Sequence, residues 1–192
     1  AKEKKEVDAS FIKPLLYPNI FPALAKGILL YGPPGTGKTY LVKGMISELS
    51  SNEGVGVIFY TPTGAELKGK YVGETEKNIR NYFTCAGRAA CTAMEMSVKA
   101  GKPKKYISII FIDEFDTIGG DRLADPSGLM ANSVNTVLQY MDGVPSLKNV
   151  SVVAATNYPW RLDAAILRRF NSQIKVAIPK FADIVDLIKF TY

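Results

Sequence analysis

The chain has 192 residues, 47% of them hydrophobic and 22% charged, with two cysteines and no histidine. A domain of this size can bury about 70% of its unfolded surface, so the composition excludes disorder, a collagen repeat and a disulfide scaffold. Its 24 basic and 18 acidic side chains leave +6, divided evenly between the two halves, which suits a phosphate or polyanion ligand without singling out nucleic acid.

The lack of histidine excludes a Ser-His-Asp triad, a Cys-His dyad and any histidine metal site. Cys85 and Cys91 make no disulfide framework, so a reducing compartment is expected, intracellular and either cytoplasmic or nuclear. As small apolar groups in a helical stretch, both cysteines are expected to be buried. The first residues, AKEKKEVDAS, contain no apolar signal segment. No apolar run approaches the roughly 20 residues of a membrane span.

In chain order, residues 1–25 form a lead-in, with Pro14, Pro18 and Pro22 marking a short helix and turns. The main domain is expected over 26–192. Lys26–Tyr31 is an apolar run that ends in a glycine-rich loop, the signal of a buried strand. The spacing then predicts a helix over Tyr40–Leu49, with Leu41, Val42, Met45, Ile46 and Leu49 on one face. A second strand follows at Val55–Tyr60, and a long helix from about Glu74 with Ile79, Phe83 and Ala86 aligned. Tyr106–Ile112 is the third strand. Helix Leu129–Met141 aligns Val134, Val137, Leu138 and Met141. Strand Val150–Ala155, a short helix at Leu162–Arg169 and strand Gln173–Ile178 come next, and a last helix starts near Phe181. Strands alternating with helices predict an α/β fold with a five-stranded parallel sheet covered on both faces. Ligands bind such sheets beyond the carboxyl ends of the strands.

Residues 32–39 read Gly-Pro-Pro-Gly-Thr-Gly-Lys-Thr, which fits G-x-x-x-x-G-K-[ST] between a strand and a helix. Glycines let backbone N–H groups point inward around phosphates, and the helix start adds its positive dipole end. Lys38 is placed to reach the β- and γ-phosphates, and Thr39 to ligate Mg²⁺. A chance glycine-rich turn is the plainer alternative, and the strand and helix on either side count against it. Asp113 and Glu114 follow the apolar run Ile109–Ile112. Asp113 then holds Mg²⁺ through water, opposite Thr39, and Glu114 orients and deprotonates an attacking water. A solvated strand end is the alternative for an isolated Asp-Glu.

Together with segments nearer the C-terminus, these motifs resemble the AAA family of ATPases, from about Phe11 to Tyr192. GPPGTGKT is strongly characteristic of that family, and IIFIDEFD at 109–116 is similar to its Walker B segment. The resemblance implies a P-loop NTPase (AAA+) three-layer sandwich. It implies ATP and Mg²⁺ as cofactors, with Gly32, Pro33, Pro34, Gly35, Thr36, Gly37, Lys38, Thr39 and Tyr40 around the nucleotide. Val152–Asn157 (VVAATN) is similar to the sensor 1 strand, so Asn157 is expected to position the lytic water. Leu162–Phe170 (LDAAILRRF) resembles the arginine-finger segment, in which Arg168 and Arg169 reach a neighbouring subunit's site; on residue chemistry alone, a cationic pair at a helix C-terminus is an equal alternative. The adjacent Arg-Arg-Phe resembles the meiotic clade, which includes spastin, katanin and fidgetin.

Lys70-Tyr71-Val72-Gly73 resembles pore loop 1, whose aromatic residue grips a threaded polypeptide in a hexameric ring; a loop tyrosine packed on the surface is the plainer alternative. Gly119–Gly128 stands in the place of pore loop 2. The family passes almost directly from Arg-x-Ala to the Walker B strand, whereas here Cys91–Lys105 intervenes as a helix extension ended by Gly101 and Pro103. Lys99, Lys102, Lys104 and Lys105 could dock an acidic partner, although a solvated loop is favoured. The resemblance also implies a helical lid, carrying sensor 2, beyond Tyr192.

The expected function is therefore Mg-ATP hydrolysis driving remodelling, disassembly or threading of a protein substrate through a ring. The alternatives are a nucleotide-gated scaffold with little turnover and a small-molecule kinase. A nucleic-acid motor has only the +6 charge in its favour.

Overall fold

Gly27–Tyr31 forms β1, the strand on which the site is built. Its register is parallel to β4 (Val150–Thr156) on one side and to β5 (Ser172–Lys175) on the other. With β2 (Val55–Tyr60) and β3 (Lys105–Ile112) the sheet order is β2-β3-β4-β1-β5, parallel throughout. The computed structural model describes residues 2–179 other than 18, 22–26, 123, 124, 126, 127 and 144–148.

Alternation along the strands divides the core into two layers. Ile28 and Leu30 of β1, Ile107, Ile109 and Phe111 of β3, and Val153 and Ala155 of β4 face one side. They pack there on Val42, Met45 and Leu49 of α3 (Lys38–Ser50). Leu29, Ile110, Ile112, Val152 and Ala154 face the other side. They pack on Ile79, Phe83 and Ala86 of α5 (Glu74–Lys99) and on Val134, Val137 and Met141 of α6 (Leu129–Gly143). The expected three-layer sandwich is the observed one. Ser108 is fully buried inside this apolar setting because its Oγ donates to the Ala86 carbonyl of α5 at 2.7 Å.

The N-terminal residues are helical from Lys2 to Leu16, as α1 (Lys2–Val7), a π turn over Asp8–Ile12 and α2 (Lys13–Leu16). Pro14 lacks the N–H that an α-helix needs at that position, and the wider turn lies just ahead of it. Val7, Phe11, Ile12 and Leu15 are buried against the α3 side of the sheet. Lys105 donates from Nζ to the Leu15 carbonyl at 3.0 Å, and burial lowers its pKa. Lys105 therefore belongs to β3 and anchors α2; it is not part of an exposed basic loop, and Lys99, Lys102 and Lys104 remain as the exposed cations there.

Several boundaries differ from expectation. β5 is shorter than Gln173–Ile178, though Val176 N–H still bonds the Tyr31 carbonyl at 2.8 Å. The helix expected over Leu162–Arg169 is a 3₁₀ turn, Pro159–Arg161, followed by the single-turn α7 (Ala164–Leu167). Cys85 and Cys91 are exposed, not buried. At about 100° per residue, Cys85 lies roughly 200° round the helix from buried Phe83, and Cys91 follows buried Ala90 on the solvent side. The strand start at Lys26, part of the loop at 119–128 and the helix near Phe181 lie outside the described residues. Among the described residues no helix is long and apolar enough to cross a membrane.

Candidate active site

Three adjacent strands end at one cleft of about 510 Å³, lined by residues 34–40, Lys43, Asp113, Glu114 and Asn157. β1 delivers the loop 32–37, β3 delivers Asp113 and Glu114, and β4, lying between them, delivers Asn157. Gly35 and Gly37 have φ of 73° and 87°, a backbone region that favours glycine, and the loop uses them to turn into α3.

Lys38 opens α3 and is only 8% exposed. Its ammonium donates to the carbonyls of Gly32 and Pro33, both at 2.9 Å, and to Asn157 Oδ1 at 2.6 Å. All three donors are used, and all three acceptors are neutral. Burial accordingly pulls the lysine below its ordinary pKa, with the Asp113 charge partly opposing the shift.

Thr39 Oγ1 donates to Asp113 Oδ2 at 3.3 Å, while Asp113 Oδ1 accepts the Glu114 N–H at 2.9 Å. One carboxylate thus fixes both neighbours. Thr39 and Asp113 are hard oxygen donors, and two such donors plus water suit Mg²⁺. Among the described residues no cluster of three or more Cys, Asp or Glu builds a fuller metal cage.

Glu114 is exposed and has φ 50° and ψ 45°, the left-handed region that disfavours a side chain. It is the only described non-glycine residue with positive φ. The turn is held from behind. Gly64 N–H bonds the Asp113 carbonyl at 2.7 Å, and the Thr117 hydroxyl bonds the Glu114 carbonyl at 2.8 Å. A Cβ on Gly64 would lie 1.9 Å from Thr117 Oγ1 and 2.4 Å from the Glu114 carbonyl oxygen, so only glycine fits. Gly64 opens α4 (Gly64–Leu67), whose capping box joins Thr63 and Glu66. The T-x-x-E spacing of Thr63 and Glu66 is a signal for this cap that sequence reasoning missed, and nothing local in the sequence marks the approach of Gly64 to Glu114. Asp116 likewise accepts from the Thr156 hydroxyl at 2.6 Å and ties the β3 turn to the end of β4.

Arg168 and Arg169 are exposed and do not line this cleft. Arg169 makes a two-pronged ion pair with Asp142 of α6, which raises the pKa of its guanidinium. Lys70, Tyr71, Val72 and Gly73 also lie away from the cleft. Glu74 Oε2 accepts the backbone N–H groups of Lys70 and Tyr71 at 2.8 and 3.1 Å, which folds the loop back on the start of α5. Tyr71 and Val72 are left 75% and 82% exposed.

A family model described as "ATPase family associated with various cellular activities (AAA)" matches residues 28–178. The chain belongs to the AAA family. Protein SAV of Sulfolobus acidocaldarius is 39% identical over 92% of the chain and 21% of its own length. The proteasome-activating nucleotidase of Pyrococcus furiosus is 35% identical over 98% of the chain and 44% of its own length. Mouse vacuolar protein sorting-associated protein 4B is 34% identical over 92% of the chain and 36% of its own length. The chain therefore spans less than half of each of these relatives.

Proposed function

We propose that this AAA chain is the ATP-hydrolysing core of a ring that remodels or threads protein substrates. The observation that carries the reading is the convergence of Lys38, Thr39, Asp113, Glu114 and Asn157 in one cleft. Lys38 exchanges the Gly32 and Pro33 carbonyls for phosphate oxygens of ATP. Thr39 and Asp113 hold Mg²⁺, which when bound neutralises charge on those oxygens. Glu114 orients and deprotonates the attacking water, and Asn157 positions it. Gly32–Gly37 wrap the phosphates, and Tyr40, 78% exposed, flanks them.

Arg168 and Arg169 lie outside their own cleft and are assigned to that of a neighbouring copy in a hexamer. Arg169 must leave Asp142 to act there, whereas Arg168 has no side-chain partner among the described residues. Tyr71, projecting from a loop braced by Glu74, is assigned to the polypeptide. Exposed Lys99, Lys102 and Lys104 offer a basic surface to an acidic partner, and nucleic acid is not favoured. Within the family, none of the three relatives' names ties the chain to the meiotic clade.

The test is Mg-ATP hydrolysis against protein concentration, with Glu114→Gln as blank. Specific activity should rise steeply with concentration, and Arg169→Ala should abolish it. Activity independent of concentration would remove the shared site, and none above the blank would remove the enzyme reading.

A further inference from the structure

One guanidinium joins three elements on the side of the domain that carries Arg168. Arg122 donates from Nε to Asp163 Oδ2 at 2.8 Å and from Nη2 to Asp163 Oδ1 at 3.3 Å. It donates from Nη1 to Asn135 Oδ1 of α6 at 3.2 Å. Asp163 is 5% exposed and caps α7, accepting the Ala165 N–H on Oδ1 at 2.8 Å. The backbone repeats the connection. Asp121 N–H bonds the Arg161 carbonyl at 2.8 Å, Asp163 N–H bonds the Gly119 carbonyl at 3.0 Å, and Gly120 bridges Leu162.

A four-residue helix has no stability of its own, so its direction is set by its two ends. At the C-terminal end Phe170 is buried, edge-on against Phe115 at 5.6 Å between centroids. At the N-terminal end the direction depends on how the Asp163 carboxylate is turned. A carboxylate held by both arms of a planar fork has one orientation. Without the fork, the nearly buried carboxylate keeps only backbone N–H partners, those of Ala165 and of residue 122, and loses the planar grip that fixes its orientation, so it turns toward water and the cap goes with it. Arg168 is the residue immediately after α7 and follows any such movement.

We propose that Arg122 is a positioning residue for Arg168, setting the angle of α7 through Asp163 without touching nucleotide. It makes the placement of Arg168 depend on the Gly119–Arg122 backbone, so a ligand that shifts this segment shifts hydrolysis. The inference rests on the reading that Arg168 serves a neighbour's cleft.

The experiment compares wild type, Arg122→Ala and Arg168→Ala in the oligomeric protein, measuring kcat for Mg-ATP and Kd for a fluorescent ADP. Each variant is also mixed with Lys38→Ala, which has no working cleft of its own but an intact α7. A misplacement of about 1 Å costs on the order of 10²-fold in rate. Arg122→Ala should lose about that much kcat and keep its Kd within about twofold. Mixing should restore activity, because a Lys38→Ala neighbour offers a correctly placed arginine. A wild-type kcat, or a loss that mixing does not restore, would overturn the proposal. If Arg122→Ala fails to fold, Arg122→Gln replaces it with the same readouts, since it keeps the stem but not the fork. Full activity in Arg168→Ala would sink the assignment of Arg168 to a neighbour's cleft, on which this inference rests. An inactive Arg168→Ala beside a fully active Arg122→Ala would sink only the role of Arg122.

Discussion

Lys38 Nζ lies 2.6 Å from Asn157 Oδ1, a contact between residues 119 apart in sequence. Among the described residues it makes Asn157 the one side chain that holds the ammonium; the other two acceptors are backbone carbonyls of the phosphate loop. Asn157→Ala should therefore leave nucleotide binding nearly intact, because phosphate oxygens replace the lost acceptor. Hydrolysis should fall by about 10²-fold, the scale of one preorganised polar group at a reacting centre. Paired Kd and kcat measurements check this split, and a parallel loss in both would place Asn157 in ground-state binding alone.

The lowered pKa of Lys38 has a solution consequence. Burial is the larger cause, and Asp113 only partly offsets it. The native state then binds fewer protons than the unfolded state between the lowered pKa and 10.5, so this group's contribution to stability rises with pH across that window. An anionic phosphate beside Nζ reverses the shift, and nucleotide binding should take up protons between the lowered pKa and 10.5. Titration calorimetry in buffers of different ionisation enthalpy reads this uptake directly. Lys38→Met should abolish it.

Glu114 is expected to separate chemistry from backbone strain. Glu114→Gln should retain nucleotide and lose hydrolysis by about 10²–10⁴-fold, the usual worth of a general base. The φ of 50° adds a second expectation. Glu114→Gly should be more stable than Glu114→Ala by about 1 kcal/mol, because only glycine enters the left-handed region without a penalty. Denaturant melts of the two inactive variants test this, and equal midpoints would mean that the turn relaxes.

Gly64 presses on the same turn from the start of α4. Gly64→Ala places a methyl group where Thr117 Oγ1 and the Glu114 carbonyl already sit. It should cost about 1–3 kcal/mol, as overpacking does. It should also slow hydrolysis by shifting Glu114, although Gly64 is outside the cleft lining. A Gly64→Ala protein with wild-type melting and turnover would show that the turn yields freely.

What could be read along the chain was whatever is local. The phosphate loop, the Asp113-Glu114 pair and the Val152–Asn157 strand end are each short runs whose chemistry needs those residue types in sequence, and each stands at a strand end beside the same cleft. The strands and long helices followed from apolar periodicity, and Ile79, Phe83 and Ala86 do face the core. The same periodicity, carried through to Cys85 and Cys91, would have placed them in solvent. Boundaries were less legible, since β5 ends where pairing with β1 ends and not where its apolar residues do.

The sequence by itself determined an α/β fold with a phosphate loop, because glycine placement, strand periodicity and the acidic strand end are properties of neighbouring residues, and the wording of its motifs carried the resemblance to the AAA family. Only the tertiary structure decided which groups act together. Arg122 meets Asp163 across 41 residues and Arg169 meets Asp142 across 27. Lys105 meets the Leu15 carbonyl across 90. No local pattern encodes such pairs. A charged side chain takes whichever partner the packed sheet and helices bring within about 3 Å, and where the partner is buried, as Asp163 is, that choice is costly to undo.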